Sequence, residues 1–492
     1  MGKPGMSQIG TILIVALSGF LMGFDGSLFT GAVVFVKGKF GLSSFQVGWA
    51  VVSHTIVATL SIFLAGPMAD RFGRRNVLRM AAIVFAASAL VAAAASSFSM
   101  LIVARMLSGL GVGAVLVAAP MYIAEISPPA LRGRMVTFNQ LFLVFGIFLA
   151  YSSNYVIVRL EDFSSAWIST LNLASYNWRW MLGLGVLPAL SYLFALLFVP
   201  ESPRWHAMHG RFDAARHILT RAHGAVFADA ELAEMRASLA HRASSGDATL
   251  LELWAPELRG VLGIGLVVAV VQQITGISSV LTYANVIFEQ AADTGRHDDA
   301  AFMQTLFVGL VNFLFTVLAF LLIDRVGRRP LLLFGTAGMA ICLLLTAYGF
   351  HAAGGGMNPG LVLAGLLGFV ASFAVSLGPC MWVLLSEIFP NRVRGVAISC
   401  VGLVNSAVCT VVQLLFPWQM DRFGGGPTFF IYAVFAVLGV VVLARVLPET
   451  RGRSLEEIEE SLVRHTELPE ALIAVGSGTP ESEDHPRRAG RR

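Results

Sequence analysis

Asp70-Arg71-Phe72-Gly73-Arg74-Arg75 returns 254 residues later as Asp324-Arg325-Val326-Gly327-Arg328-Arg329. Each copy is a short charged loop between two long apolar runs. Glu125, followed seven residues on by Arg132-Gly133, returns as Glu387 followed by Arg394-Gly395. Pro200-Glu201-Ser202 returns as Pro448-Glu449-Thr450. The three offsets are 254, 262 and 248, and the pairs keep their order. One such pair could arise by chance; three in order imply two related halves.

Outward from these loops the chain reads as twelve apolar runs. Six fall near 9–36, 45–69, 76–96, 100–123, 134–157 and 177–199, and six more near 259–290, 301–323, 330–352, 360–388, 393–417 and 427–446. Composition agrees: of 492 residues, 56% are hydrophobic and 13% charged, with mean hydropathy +0.74. A soluble chain carries about twice that charged fraction. At about 20 apolar residues per crossing, the chain supplies roughly a dozen spans. The expected class is therefore an all-α membrane protein. A solute site between inverted or repeated halves is expected near the membrane midplane.

The net charge of +4 does not point to nucleic acid, because the arginines sit in short loops between apolar runs. Loops 70–75, 124–134, 324–330 and 390–394 hold ten arginines; the six loops on the other side hold five Lys or Arg. That bias predicts both termini in the cytoplasm of a multi-pass cell-membrane protein. The start leads into an apolar run without a small-residue cleavage site, so a retained first span is expected. The predicted organisation is an N-terminal six-helix bundle over 1–199, a linker with short amphipathic cytoplasmic helices over 200–258, a C-terminal bundle over 259–447, and a tail over 448–492, disordered after about 461. Cys342, Cys380, Cys400 and Cys409 lie unpaired in apolar runs, so neither disulfides nor a metal is expected. No phosphate-binding loop occurs and no cofactor is expected, nor an enzyme, since no nucleophile–base or metal cluster is present.

Several stretches carry a narrower message. PESPRW at 200–205, QQITGI at 272–277, GPCMWVLLSEIFPNRVRG at 378–395 and PETRGRSLEEIE at 448–459 are similar to the sugar porter family of the major facilitator superfamily. The resemblance runs over about 9–460. It implies the major facilitator fold: twelve transmembrane helices in two pseudo-symmetric six-helix bundles that rock about a central cavity, functional as a monomer. It also implies a small neutral sugar or polyol as solute.

Three ionisable residues lie well inside spans: Asp25, His54 and Arg105. A charge at bilayer centre costs at least ~2.5–3.5 kcal/mol, so such residues are functional by default. Asp25 and Arg105 fall at similar depth and are expected to pair, either as a static bridge or as a proton switch. The resemblance favours the switch, because proton-coupled sugar porters carry Asp and Arg at these places. For His54, a hydrogen bond to a neighbouring helix is the expectation, ahead of a proton relay.

A neutral, hydroxyl-rich solute needs uncharged donors and acceptors plus a flat apolar face. Gln140, Gln272, Gln273, Asn312, Asn405 and Trp382 offer these within spans. By resemblance, Gln140, the Gln272–Gln273 pair, Asn312, Trp382, Phe373 and Gly378 match sugar-binding places in spans 5, 7, 8 and 10. Ser278 stands where the family has Asn, Thr282 where an aromatic is common, and Ser406 where Trp is frequent. Those departures make the pocket smaller-sided and leave the identity of the sugar open. At the cytoplasmic edge, Asp70, Arg71, Arg74, Glu125, Arg132, Arg134, Glu201, Arg204, Asp324, Arg325, Arg328, Glu387, Arg394 and Glu449 are expected to form a gate of exposed ion pairs, each worth only ~0–1 kcal/mol. The leading expectation is sugar–proton symport. A facilitative sugar or polyol uniporter is the alternative, ahead of a nutrient sensor or a drug–proton antiporter.

Overall fold

The structure, a computed structural model, describes residues 8–127, 132–160, 172–245, 250–292, 299–351, 358–390 and 393–447. Glu449 and the rest of the tail lie outside them, as do the side chains of Arg132, Arg134 and Asp324. The first five spans are single helices: α1 (Gln8–Phe40), α2 (Ser44–Phe72), α3 (Arg74–Ala93), α4 (Phe98–Ile126) and α5 (Arg132–Leu160). At 33 residues, α1 is about 50 Å long, more than the ~30 Å of a hydrocarbon core.

The sixth crossing is broken into α6 (Leu173–Gly183) and α7 (Val186–Ala195). Its expected apolar run, 177–199, contains Pro188. Proline cannot donate to the Leu184 carbonyl one turn back, and Leu187 N instead reaches Leu184 O in a tighter three-residue turn. Among the described residues, eleven helical stretches are long and apolar enough to cross a membrane, and α6 with α7 completes twelve.

Between the halves, α8 (Pro203–Met208), α9 (Phe212–His223) and α10 (Ala225–Ser245) form a small helical unit. The linker expected to carry short amphipathic helices thus holds three of them among the described residues. Ala207, Ala215, Leu219, Ala228 and Leu232 make its core. Arg216 Nε donates to Asp229 Oδ1 at 2.6 Å, tying α9 to α10 and holding that carboxyl below its ordinary range.

The second half comprises α11 (Pro256–Ile274), α12 (Ile277–Thr282), α13 (Ala284–Ala292), α14 (Asp299–Val326), α15 (Arg328–Gly349), α16 (Pro359–Val375), α17 (Leu377–Ile388), α18 (Arg394–Phe423) and α19 (Gly425–Val446). Two crossings that read as continuous runs are interrupted. The run 259–290 bends at Gly276, whose φ of +85° an L side chain adopts only with strain, and again at Tyr283. The run 360–388 breaks at Ser376, because Pro379 has no N–H for the carbonyl of Val375.

The halves meet along α2–α18 and α5–α14, contacts that exchange when spans 2 and 5 are swapped with spans 8 and 11. Gly48 allows α2 to approach α18 so closely that a Cβ there would lie 2.7 Å from the Leu414 carbonyl oxygen. Among the described residues, every hydrogen bond or ion pair joining the halves lies away from the side where α1 starts. They are Thr30–Leu281, Ser44–Asp421, Thr55–Gln413, Tyr151–Leu281, Thr30–Asn285 and Arg159–Asp299. The bundles are thus bolted together on the far side.

Candidate functional site

The uncharged residues expected to meet the solute fall into two sets. Gln272, Gln273, Ser278 and Asn405 form one interlocked cluster. Asn405, on α18, donates to Gln272 Oε1 at 2.8 Å and to the Ala269 carbonyl at 3.0 Å, and its Oδ1 accepts from Gln273 Nε2 at 3.2 Å. Ser278 donates to Gln273 Oε1 at 2.6 Å. Gln272 donates to the Leu377 carbonyl at 2.8 Å, beside Gly378. Helix interruptions explain the convergence: the amides occupy the last turn of α11, Ser278 the first of α12, and Leu377 the start of α17. Gly378 lies against Phe373, whose Cε1 a Cβ there would meet at 3.2 Å. Trp382 is 45% exposed, one helical turn further along α17.

Gln140 and Asn312 stand apart. Asn312 is buried on α14, Gln140 is half-buried on α5, and neither joins the cluster by a side-chain hydrogen bond among the described residues. Between those two helices lie Phe145, Phe148 and Phe313, with ring centroids 5.4 and 6.4 Å apart. An apolar cleft of about 480 Å³ beside α18 and α19 is lined chiefly by Val408, Val412, Leu415 and Phe435, and its polar lining is the hydrogen-bonded pair Tyr432–Gln419.

The expected direct Asp25–Arg105 ion pair is absent from this conformation. Asp25 Oδ2 instead accepts from the Ser108 hydroxyl at 2.8 Å, and the Ser108 oxygen lies 2.7 Å from His54 Nδ1. Arg105, 6% exposed, places its guanidinium over the Phe29 ring at 4.5 Å, and its Nε has no partner among the described residues. Glycines set this geometry. A Cβ on Gly109 would lie 2.4 Å from the His54 carbonyl oxygen, and one on Gly113 2.3 Å from that of Ala58. Only backbone fits between α4 and α2 there, so Ser108 is carried up to His54. Ser108 was not legible as a partner of Asp25 and His54: one serine in an apolar run signals nothing.

At the edge where α1 starts, the repeated loops adopt repeated geometry. Gly73 and Gly327 both take positive φ, +98° and +101°. Arg74 Nη1 donates to the Ala69 carbonyl and Arg328 Nη1 to that of Ile323, each five residues back at 3.1 Å. Arg74 Nη2 then reaches Glu125 at 3.0 Å, and Arg328 Nη2 reaches Glu387 at 2.8 Å. The expectation of exposed, weak pairs needs correction in the first half. Arg74 is 2% and Glu125 8% exposed, Asp70 adds a second carboxylate to Arg74 at 2.8 Å, and Ser202 donates to Glu125. Glu201 accepts from the backbone N–H of Arg75 and of Ser202. The physical reason is α8, whose first residues roof the loop; Trp205 Nε1 donates to the Asp70 carbonyl. Arg71 and Arg325 are exposed, Arg204 is half-buried, and Arg394 Nε is bonded to the Phe389 carbonyl.

Gln413 escaped the sequence reading. It is buried on α18, donates to Thr282 Oγ1 at 3.0 Å and to the Ser278 carbonyl at 3.3 Å, and accepts from Thr55 at 3.4 Å. The signal was available: an amide in the apolar run VVQLLF deserves the same reading as Asn405.

Comparison with known proteins agrees with this geometry. The family model described as "Sugar (and other) transporter" matches residues 11–462. The arabinose–proton symporter of Bacillus subtilis is 36% identical, covering 93% of this chain and 96% of its own. A protein of Arabidopsis thaliana named "Probable polyol transporter 4" is 37% identical over 94% of this chain and 86% of its own. The partially occluded, inward-open structure of the Escherichia coli xylose transporter superposes with a TM-score of 0.76 at 32% identity, covering 91% of this chain and 99% of that one. Twelve spans in two related bundles, a polar cluster at the helix breaks and a match over nearly the full length identify the chain as a member of the sugar porter family of the major facilitator superfamily.

Proposed function

We propose that the protein carries a neutral sugar or polyol across the cell membrane together with a proton, by alternating access, with both termini in the cytoplasm. The observation that carries the coupling is the Asp25–Ser108–His54 chain beside an arginine whose Nε has no partner among the described residues. A carboxylate inside a span that is not ion-paired is stable only when neutral or well hydrogen-bonded. In the reading offered here, a proton resides on Asp25 in this conformation. Its loss toward the cytoplasm frees the carboxylate to pair with Arg105, which biases the bundles toward the other state. One proton moving down 100 mV supplies ~2.3 kcal/mol, enough for roughly 50-fold accumulation.

The solute contacts in this proposal are Gln273, Ser278, Asn405 and Trp382 around the cluster, with Gln272, Phe373 and Gly378 shaping it and Gln140 and Asn312, apart from the cluster, meeting the solute from α5 and α14. The charge clusters of Arg74–Glu125 and Arg328–Glu387 serve as the cytoplasmic gate. Polyols remain part of the proposal because Ser278 and Thr282 leave the cluster smaller-sided, and one relative bears a polyol name. Uptake into proteoliposomes of labelled monosaccharides and polyols, with lumenal pH monitored, is the test. Solute-dependent acidification of the lumen is expected; solute uptake that leaves lumenal pH unchanged and draws on no proton gradient would reduce the protein to a uniporter.

A further inference from the structure

Gln413 makes more specific contacts than any role in solute binding or proton coupling asks of it. Its carboxamide has two N–H groups and one oxygen, and all three have partners. Nε2 donates to Thr282 Oγ1 at 3.0 Å and to the Ser278 carbonyl at 3.3 Å; Oε1 accepts from Thr55 Oγ1 at 3.4 Å. Its own backbone carbonyl accepts from the Tyr283 hydroxyl at 3.1 Å. The residue on α18 therefore grips α12 and the joint after it while touching α2 of the other half. Among the described residues it is the only side chain of the second half that hydrogen-bonds both α12 and the first half.

The helix it grips needs holding. At six residues, α12 is far below the length at which a helix is stable alone. Gly276 and Tyr283 break it from its neighbours, and its last carbonyls have no donors within the helix. The Leu281 carbonyl is taken by Tyr151 at 2.6 Å and Thr30 at 3.5 Å, both from the first half. When the bundles part on the far side, those two bonds and Thr55–Gln413 must break together, because each crosses the parting surface. The Gln413 bonds to Ser278 and Thr282 stay within one bundle. Ser278 in turn donates to Gln273 in the polar cluster, so the same contact reaches the proposed solute site.

We propose that Gln413 is a positioning residue that holds α12 closed over the far side of the cavity and relays the state of that closure, through Ser278, to the solute cluster. Thr282 is its matched partner: a hydroxyl at that position gives the amide an acceptor. This inference rests on the alternating-access reading, but its test needs no solute.

Hydrogen–deuterium exchange on the full-length protein in nanodiscs, followed across 277–283, tests it. In Gln413→Leu, exchange in that segment is expected to quicken about two- to tenfold, the equilibrium worth of a net buried hydrogen bond or two, while exchange in α9 and α10 is unchanged. Thr282→Val, which removes the same bond from the other side, gives a smaller rise. Should Gln413→Leu fail to fold, Thr282→Val alone must still show it. The double variant should exchange no faster than Gln413→Leu, because the two side chains act as one unit. Wild-type rates in Gln413→Leu, or fully additive increases in the double variant, overturn the proposal. A protein that fails to transport any sugar, yet shows the coupled exchange, would discard the solute assignment and leave Gln413 in place.

Discussion

The Ser108 hydroxyl donates to Asp25 Oδ2 at 2.8 Å, and the same oxygen lies 2.7 Å from His54 Nδ1. Three spans, α1, α4 and α2, are thereby joined by one short chain of proton-bearing atoms.

Replacing the titratable end should uncouple transport without stopping it. Asp25→Asn keeps an acceptor for Ser108 but cannot gain or lose a proton. Uphill uptake is expected to vanish while counterflow remains measurable in proteoliposomes. Full-rate accumulation by this variant would rule out Asp25 as the coupling group.

Breaking the middle of the chain should act more gently. Ser108→Ala leaves both Asp25 and His54 but severs their link, a loss of ~0.5–1.5 kcal/mol for one net hydrogen bond. Proton-driven uptake is expected to fall about two- to tenfold and its pH profile to move, with counterflow little changed. An identical pH profile in wild type and variant would place the link outside the proton path.

Trp382→Ala removes a half-exposed indole on α17. If the ring packs on the C–H face of the solute, affinity weakens by ~1–3 kcal/mol, the range for a lost aromatic platform. Titration calorimetry on the purified protein reads this directly, and unchanged affinity would take Trp382 out of the site.

Gly73→Ala tests the geometry of the charged loop. The residue has φ of +98°, and a Cβ would stand 2.4 Å from Glu201 Oε2. Left-handed backbone alone costs about 1–2 kcal/mol for a non-glycine residue, and the carboxylate must also shift off the N–H groups it caps. A lower thermal midpoint in detergent is expected, with Gly38→Ala, which meets nothing within 4 Å, as the neutral control. Equal midpoints would show that the loop yields freely.

Much of the fold was legible because its causes are local or periodic. The twelve runs follow from hydropathy, and the two-half architecture from the three ordered repeats. Equal spacing on equivalent helices brings Arg74 to Glu125 and Arg328 to Glu387. Burial of the Arg74–Glu125 pair was not legible, because it depends on α8 folding back over the loop. Nor were the breaks at Ser376 and Tyr283 marked as such, although Pro379 and Gly276 were in plain view; membrane helices often absorb such residues without parting.

What the sequence determined by itself is membership and material: a membrane carrier of two related bundles, with amides inside its spans and one acid, one histidine and one arginine deep in the first half. Which of these touch was decided only in three dimensions. Asp25 turns to Ser108 rather than to Arg105, Gln140 and Asn312 stay apart from the amide cluster, and Gln413 takes hold of α12. The physical reason is that side-chain partners inside a bilayer depend on where helices cross. Those crossings are set by glycines that admit backbone against backbone, and by which face of the carrier is closed.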